Sequence, residues 1–299
     1  MFRSLFVIKL LLFSCLASAL SVVDDSGAKV ELDNPAKRVI TLAPSLTEMM
    51  FEIKAQDKLV ATVEFSNYPK AANDVPRVGN YEKFNMERLL SFKPDLVIGW
   101  SSANTTKQLV QLEKLNIPVY RSEPHEFSDI ARTLRNLGIL TGNAQTANQA
   151  AHRFESKLSQ LVSSNKHKQK LNVFYQVWHQ PIYTINGKHV ISKVMQICNL
   201  NNVFAKAQIL APKVTRESVI NKNPDMIISG GMAEARPEWL ESWKSWKSVT
   251  AVKLDNLFWI HPDLIHRQSP RILQGAEIMC QQADKARERL TIRERRKKK

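Results

Sequence analysis

Several things are scarce in this 299-residue sequence, and each scarcity excludes something. Nine glycines, scattered along the chain, exclude a collagen-like or low-complexity polypeptide. Three cysteines are too few for a small disulfide scaffold. No apolar run reaches the roughly 20 residues that cross a bilayer. The phosphate-cradling GxxxxGK[ST] loop, the dinucleotide fingerprint GxGxxG and the nucleophile elbow GxSxG are all missing. Enzymatic readings that depend on them therefore have no support. Seven histidines, His125, His152, His167, His179, His189, His261 and His266, form neither HExxH nor another paired ligand motif. No converging set of metal ligands is visible, so no metal site is expected.

Acidic residues are also outnumbered. Against 43 Lys/Arg stand 28 Asp/Glu, a formal net charge of +15. Such an excess can mark a nucleic-acid binder. Here nearly half of it sits in the segment 285–299, KARERLTIRERRKKK, with nine Lys/Arg against two Glu. A frayed basic tail is the expectation for that segment, and no nucleic-acid partner is expected. The remaining composition, 43% hydrophobic and 24% charged, fits one large or two ordinary globular domains.

The first residues read as an export signal. Arg3 and Lys9 precede and flank the apolar run LLLFSCL, and Ala17-Ser18-Ala19 is a small-x-small cleavage site. Cleavage is expected after Ala19, which makes residues 1–19 a signal peptide. A lipoprotein signal, with Leu12-Phe13-Ser14 before Cys15, is the alternative; the bulky Phe13 and the short apolar run argue against it. Export removes Cys15 and leaves Cys198 and Cys280. In an oxidising compartment a disulfide is the natural pairing, with two buried free thiols as the other reading. Closing that loop is worth roughly 4.5 kcal/mol in the chain-entropy model.

Short β-branched runs alternate with amphipathic stretches. Strands are predicted over Arg38–Leu42, Leu59–Phe65, Asp95–Trp100, Pro118–Arg121, Asn172–Trp178, Asp225–Ser229 and Leu257–Ile260. Between them run helical patterns, among them Leu46–Ile53, Met86–Phe92, Phe127–Leu137, Arg216–Asn221 and Pro270–Gln281. The alternation argues for an α/β fold with mainly parallel sheets flanked by helices. From Asn143 to Val162 the apolar residues Ala147, Ala150, Ala151, Phe154, Leu158 and Leu161 keep helical spacing without an intervening strand. About 20 residues make a rod of roughly 30 Å. This is read as a rigid connector, residues 143–166, between an N-terminal lobe (20–142) and a C-terminal lobe (167–284), with 285–299 as the basic tail.

One stretch is written twice. NMERLLSFKPDLVIGW from Asn85 aligns without a gap with TRESVINKNPDMIISG from Thr215. In both copies a polar residue, Asn85 or Thr215, caps a helix, and Glu87 or Glu217 occupies its first turn, where the helix dipole favours a carboxylate. Pro94 or Pro224 stops the helix, and Asp95 or Asp225 opens a strand. Each glutamate alone reads as a helix-start residue. The alternative reading of two equivalent acids, one per lobe, is a matched pair of contacts on one face.

The order of signal, lobe, long helix and lobe resembles the substrate-binding proteins of ABC importers whose lobes are joined by a rigid helix. VELDNPAKRVITLAPSLTEMMFEIKAQDKLV is similar to that group's entry strand and first helix, with Ser45, Thr47 and Glu48 in the usual pattern. FSNYP (Phe65–Pro69), NMERLLSFKPDLVIGW, VMQICNLNNVF, VTRESV and DLIHRQSPRIL match, in order and spacing, its cobalamin-binding members. The resemblance covers about residues 30–284. It implies a non-enzymatic periplasmic receptor, a monomer, that carries cobalamin as transported ligand, uses no cofactor, and delivers to the permease dimer of an inner-membrane ABC importer. It implies docking through Glu87 and Glu217, a disulfide between Cys198 and Cys280, and a ligand cleft lined by Phe65, Tyr81 and Trp100 from the first lobe and Tyr183, Asp263 and Arg267 from the second. A siderophore or haem receptor on the same scaffold is the alternative. The chain departs from the pattern at Phe65, where tyrosine is frequent, at Ala211 and Leu264, where tryptophan is usual, and at Tyr81, where tryptophan is common.

Overall fold

The structure is a computed structural model that describes residues 19–231 and 238–297; the expected signal peptide, residues 1–19, lies outside them except for Ala19. An antiparallel hairpin, β1 (Leu20–Val23) and β2 (Lys29–Leu32), precedes the first lobe. That lobe is built on a four-stranded parallel sheet in the order β4-β3-β5-β6, from β3 (Val39–Thr41), β4 (Leu59–Ala61), β5 (Leu96–Trp100) and β6 (Val119–Ser122). Helices α1 (Pro44–Glu52), α2 (Met86–Ser91), α3 (Thr106–Lys114) and α4 (Phe127–Thr141) supply the crossovers. After α5 (Ala144–Asn165, 22 residues) comes the second parallel sheet, in the order β10-β7-β11-β12. Its strands are β7 (Leu171–Gln176), β10 (Leu200–Asn202), β11 (Met226–Ser229) and β12 (Leu257–Trp259). A two-stranded excursion, β8 (Trp178–His179) and β9 (Ile182–Tyr183), leaves β7. Helices α6 (Val190–Ile197), α7 (Arg216–Lys222), α8 (Thr250–Lys253), α9 (Pro262–Ile265) and α10 (Ile272–Lys297) complete the lobe.

The duplicated stretch becomes the same unit twice: helix α2 with central strand β5, and helix α7 with central strand β11. Asn85 accepts from Arg88 N at 2.9 Å and Thr215 from Ser218 N at 3.2 Å, so both predicted caps form. The aspartates do more than open strands. Asp95 accepts from Lys37 N and Arg38 N, both at 2.8 Å, and Asp225 accepts from Asn172 N at 2.8 Å. Each carboxylate thus fixes the entry to the neighbouring strand, β3 or β7.

Helix α5 turns back on α4 through Gly142, whose φ of 73° is the left-handed cap that glycine adopts without a Cβ penalty. At Gly138 a Cβ would stand 2.2 Å from that of Ala147, so the two helices touch backbone to side chain. One continuous apolar cluster runs from the first sheet (Val39, Leu96, Ile98) through α4 and α5 (Leu134, Ala151, Phe154) into the second (Val173, Met226, Ile228) and α10 (Ala276, Met279). Cys198 and Cys280 form a disulfide that joins the end of α6 to α10 across 82 residues. The basic tail is helical rather than frayed: α10 continues to Lys297 because Ala283, Ala286 and Arg287 are still buried against the lobe. Among the described residues no helix is long and apolar enough to cross a membrane.

Candidate binding cleft

In parallel sheets the loops after the strands carry ligands, because the helix returns leave a crevice at the carboxyl ends. Both lobes bring aromatic residues to those ends. Trp100 closes β5, with its ring 6.2 Å from that of Tyr81 and tilted by 43°. Asn104 holds this pair in place: it accepts from Trp100 N and donates to Leu42 O (2.9 Å) and Tyr81 O (2.5 Å). Phe65 follows β4, 68% exposed, with its backbone in the left-handed region at φ 65°. A bulky residue there is uncommon, and such conformations gather at functional sites. In the second lobe Tyr183 and Trp178 pair across β8 and β9 and are both partly exposed. His179 lies 5.6 Å from Trp239 in a near-parallel stack.

The two lobes are tied together by charge. Glu48, on the inner face of α1, has a side chain only 3% exposed. It accepts from Arg267 Nη1 at 2.8 Å, from Arg271 Nη1 at 2.7 Å, and from Ser269 Oγ. Arg267 also donates to Asn67 Oδ1 and Phe65 O, each at 3.0 Å, and pairs with Asp263 at 2.7 Å. The Arg271 guanidinium lies 3.6 Å from the centre of the Tyr68 ring. Next to Glu48, the hydroxyls of Thr41, Thr47, Thr62 and Ser66 form a buried network. A lone carboxylate in these surroundings is stable only because two cations and a hydroxyl meet it.

The structure thus brings Tyr81 and Trp100 together, and Phe65 together with Asp263 and Arg267 through the ion cluster. Tyr183 lies on β9, paired with Trp178. Glu87 and Glu217 are both exposed, and neither has an ion pair among the described residues. Among the positions of departure, Ala211 is exposed and Leu264 packs against the core. Sequence reasoning assigned no role to Arg271, Ser269, Asn67 and Asn104, and treated Glu48 only as part of a pattern. The signal for Glu48 was available: an acid inside the apolar stretch LTEMMF of a buried helix needs a partner.

Three histidines have structural duties. His189 caps α6 by accepting from Ile191 N at 3.2 Å, and His261 caps α9 by accepting from Asp263 N at 3.2 Å. His266 Nε2 meets Tyr175 Oη at 3.0 Å. Burial pushes the His189 and His266 imidazoles down to about 4, and for His266 the neighbouring His189 adds to the shift. Burial also raises the Tyr175 phenol. Among the described residues no group of three or more His, Cys, Asp or Glu is placed to hold a metal ion.

A model of the periplasmic binding protein family matches residues 39–264. The chain belongs to that family. It is 33% identical over 247 residues to the vitamin B12-binding protein of Vibrio cholerae serotype O1, covering 82% of this chain and 88% of that one. The crystal structure of the periplasmic vitamin B12 binding protein BtuF of Vibrio cholerae superposes with a TM-score of 0.76 at 32% identity, covering 84% of this chain and 98% of that one. The periplasmic heme-binding protein RhuT of Roseiflexus sp. RS-1 superposes with a TM-score of 0.73 but at 18% identity, over 84% of this chain and 99% of that one, a likeness of fold alone. Two lobes of parallel sheet flanked by helices are therefore the family's architecture as well as this chain's.

Proposed function

We propose that this chain is a non-enzymatic receptor that is exported to the periplasm, captures cobalamin between its lobes and delivers it to an inner-membrane ABC importer. The observation that carries this reading is the likeness to the Vibrio cholerae vitamin B12-binding protein, above 30% identity along most of both chains. The haem-binding relative offers no comparable likeness in sequence. The side chains fit the cargo. A corrinoid has broad ring faces and an amide rim, and the strand ends offer exposed Phe65, Trp178 and Tyr183, with the polar groups of Asn67, Asp263 and Arg267 gathered at Phe65. The terminal nitrogens of Arg267 are already taken by Glu48, Asn67, Phe65 O and Asp263, so in this reading Arg267 fixes the wall around Phe65 and Asn67 and offers few free donors of its own.

In this reading Phe65, Tyr81, Trp100, Tyr183, Asp263 and Arg267 line the cleft, and Glu87 and Glu217 dock to arginines of the two permease subunits. Exposed ion pairs contribute about 0–1 kcal/mol each, which suits a contact that must form and release. Parallel titration of the purified protein with cyanocobalamin, haem and a ferric siderophore tests the proposal. Saturable binding of cyanocobalamin, with the others weaker by at least about tenfold, is expected. Preferential binding of haem or the siderophore would replace the cargo while leaving the receptor role standing.

A further inference from the structure

The last turns of α10 lie outside everything that the cleft, the docking face and the family likeness account for. Arg287 anchors this end of the helix to the lobe. It donates to Gln169 O (2.7 Å) and Cys198 O (2.6 Å) and pairs with Asp284 (2.8 Å). Two residues on, Arg289 donates to Asp255 O at 2.5 Å, and Leu290 still packs against the core. Arg289, Ile292, Arg293 and Arg296 recur at the spacing of one helical stripe. With Lys253, Leu254 and Asp255 they line an open groove of about 630 Å³.

The charge of this groove is one-sided. Four cations face a single acid, Asp255, which lies 3.8 Å from Arg289 and is 75% exposed. Neither Arg293 nor Arg296 has an ion pair among the described residues. The helical repeat puts Glu294 on the far side of α10; Glu288 borders the stripe at its Ile292 edge and has no ion pair with these cations among the described residues. In the middle of the stripe stands Ile292, 44% exposed.

We propose that this face binds the anionic phospholipid headgroups of a bilayer surface. Guanidinium groups pair with phosphates in fixed geometry, and basic helical residues are drawn to a negative membrane surface. The exposed isoleucine among them gains only where hydrocarbon lies just beneath the phosphates, as in the interfacial region of a bilayer. A free phosphate or a nucleic acid presents anions without that apolar layer, and the open groove does not enclose a small ion. An exported receptor held loosely at the membrane would search for its importer in two dimensions.

The test needs no cargo, so its outcome is independent of the cobalamin reading. Purified exported protein is co-sedimented with vesicles of phosphatidylcholine, with and without about one-third phosphatidylglycerol. Binding is expected only with the anionic lipid, and it should fade as salt rises from about 0.05 to about 0.5 M. Arg293→Gln with Arg296→Gln should weaken it by roughly tenfold to thirtyfold at unchanged melting temperature. Arg295→Gln, off the stripe, should weaken it clearly less. Three results would overturn the assignment: double-variant binding equal to wild type, an equal loss from Arg295→Gln, or displacement of vesicles by millimolar inorganic phosphate. Tighter binding of duplex DNA than of vesicles at the same salt would do the same.

Discussion

Replacing Glu48 by glutamine isolates the ion cluster between the lobes. The change keeps the shape of the side chain and removes its charge. Arg267 and Arg271, with side chains 10% and 16% exposed, would then be left with less than their complement of anions. Leaving a buried cation without its partner costs about 3–5 kcal/mol. Arg267 retains Asp263 at 2.7 Å and Arg271 retains the Tyr68 face, so the low end, about 3 kcal/mol, is expected. For a chain of this size that corresponds to a fall in Tm of roughly 6–12 °C. Urea unfolding followed by tryptophan fluorescence measures it directly. Arg271→Gln in the Glu48→Gln background should cost less than the two single changes summed, by about 1–3 kcal/mol, because the second change removes a charge that the first left unmatched. If Glu48→Gln costs under about 0.5 kcal/mol, the cluster is not buried as described and the argument fails.

Four further outcomes are expected. Free-thiol labelling of unreduced, denatured protein should find neither Cys198 nor Cys280, and two labelled thiols would refute the bond; reduction should lower stability by at most about 4.5 kcal/mol. His189 and His266 sit at about 4 when folded against 6.5 when exposed, so the unfolded chain takes up their protons first as pH falls. Stability present above pH 6.5 should then be lost between about 6.5 and 4, by up to about 3 kcal/mol per histidine, and urea melts across that range should be flatter in His266→Gln. Trp100→Ala should weaken cobalamin binding by about 1–3 kcal/mol at native circular dichroism; unchanged affinity would take Trp100 out of the cleft. Glu87→Gln with Glu217→Gln should leave soluble cobalamin affinity intact while weakening importer association and flattening its salt dependence, measured in nanodiscs at several ionic strengths.

Much of the scaffold could be read from the sequence, because local signals and packing agree there. The helical spacing from Ala147 to Leu161 became α5, and the caps Asn85 and Thr215 became observed hydrogen bonds. Boundaries were less legible. The strand expected over Leu59–Phe65 stops at Ala61, and Phe65 lies in a turn with a conformation no propensity suggests. The excursion β8–β9 and the short α9 were missed because four residues or fewer carry no period. The tail misled because its charge hid two buried positions, Ala286 and Arg287, that extend α10. In the candidate site, motif resemblance named aromatic and charged residues one at a time. It did not reveal that Arg267 and Arg271 converge on Glu48, since such contacts join positions more than 200 apart in sequence.

The apolar cluster that passes through α4 and α5 into both sheets makes the two lobes one thermodynamic unit. Swinging one lobe away from the other would open a hydrocarbon seam along the whole rod, at about 25 cal/mol for each Å² wetted, so wide hinge motion is disfavoured from within. A single cooperative melting transition follows, and fragments cut near Gly142 would each expose half an interior. In a molecule so built, wide opening of the lobes is a costly signal. In the proposed reading, what an importer could sense is whether the space between two fixed walls is filled, a message carried by the cargo's own surface and not by a change of angle.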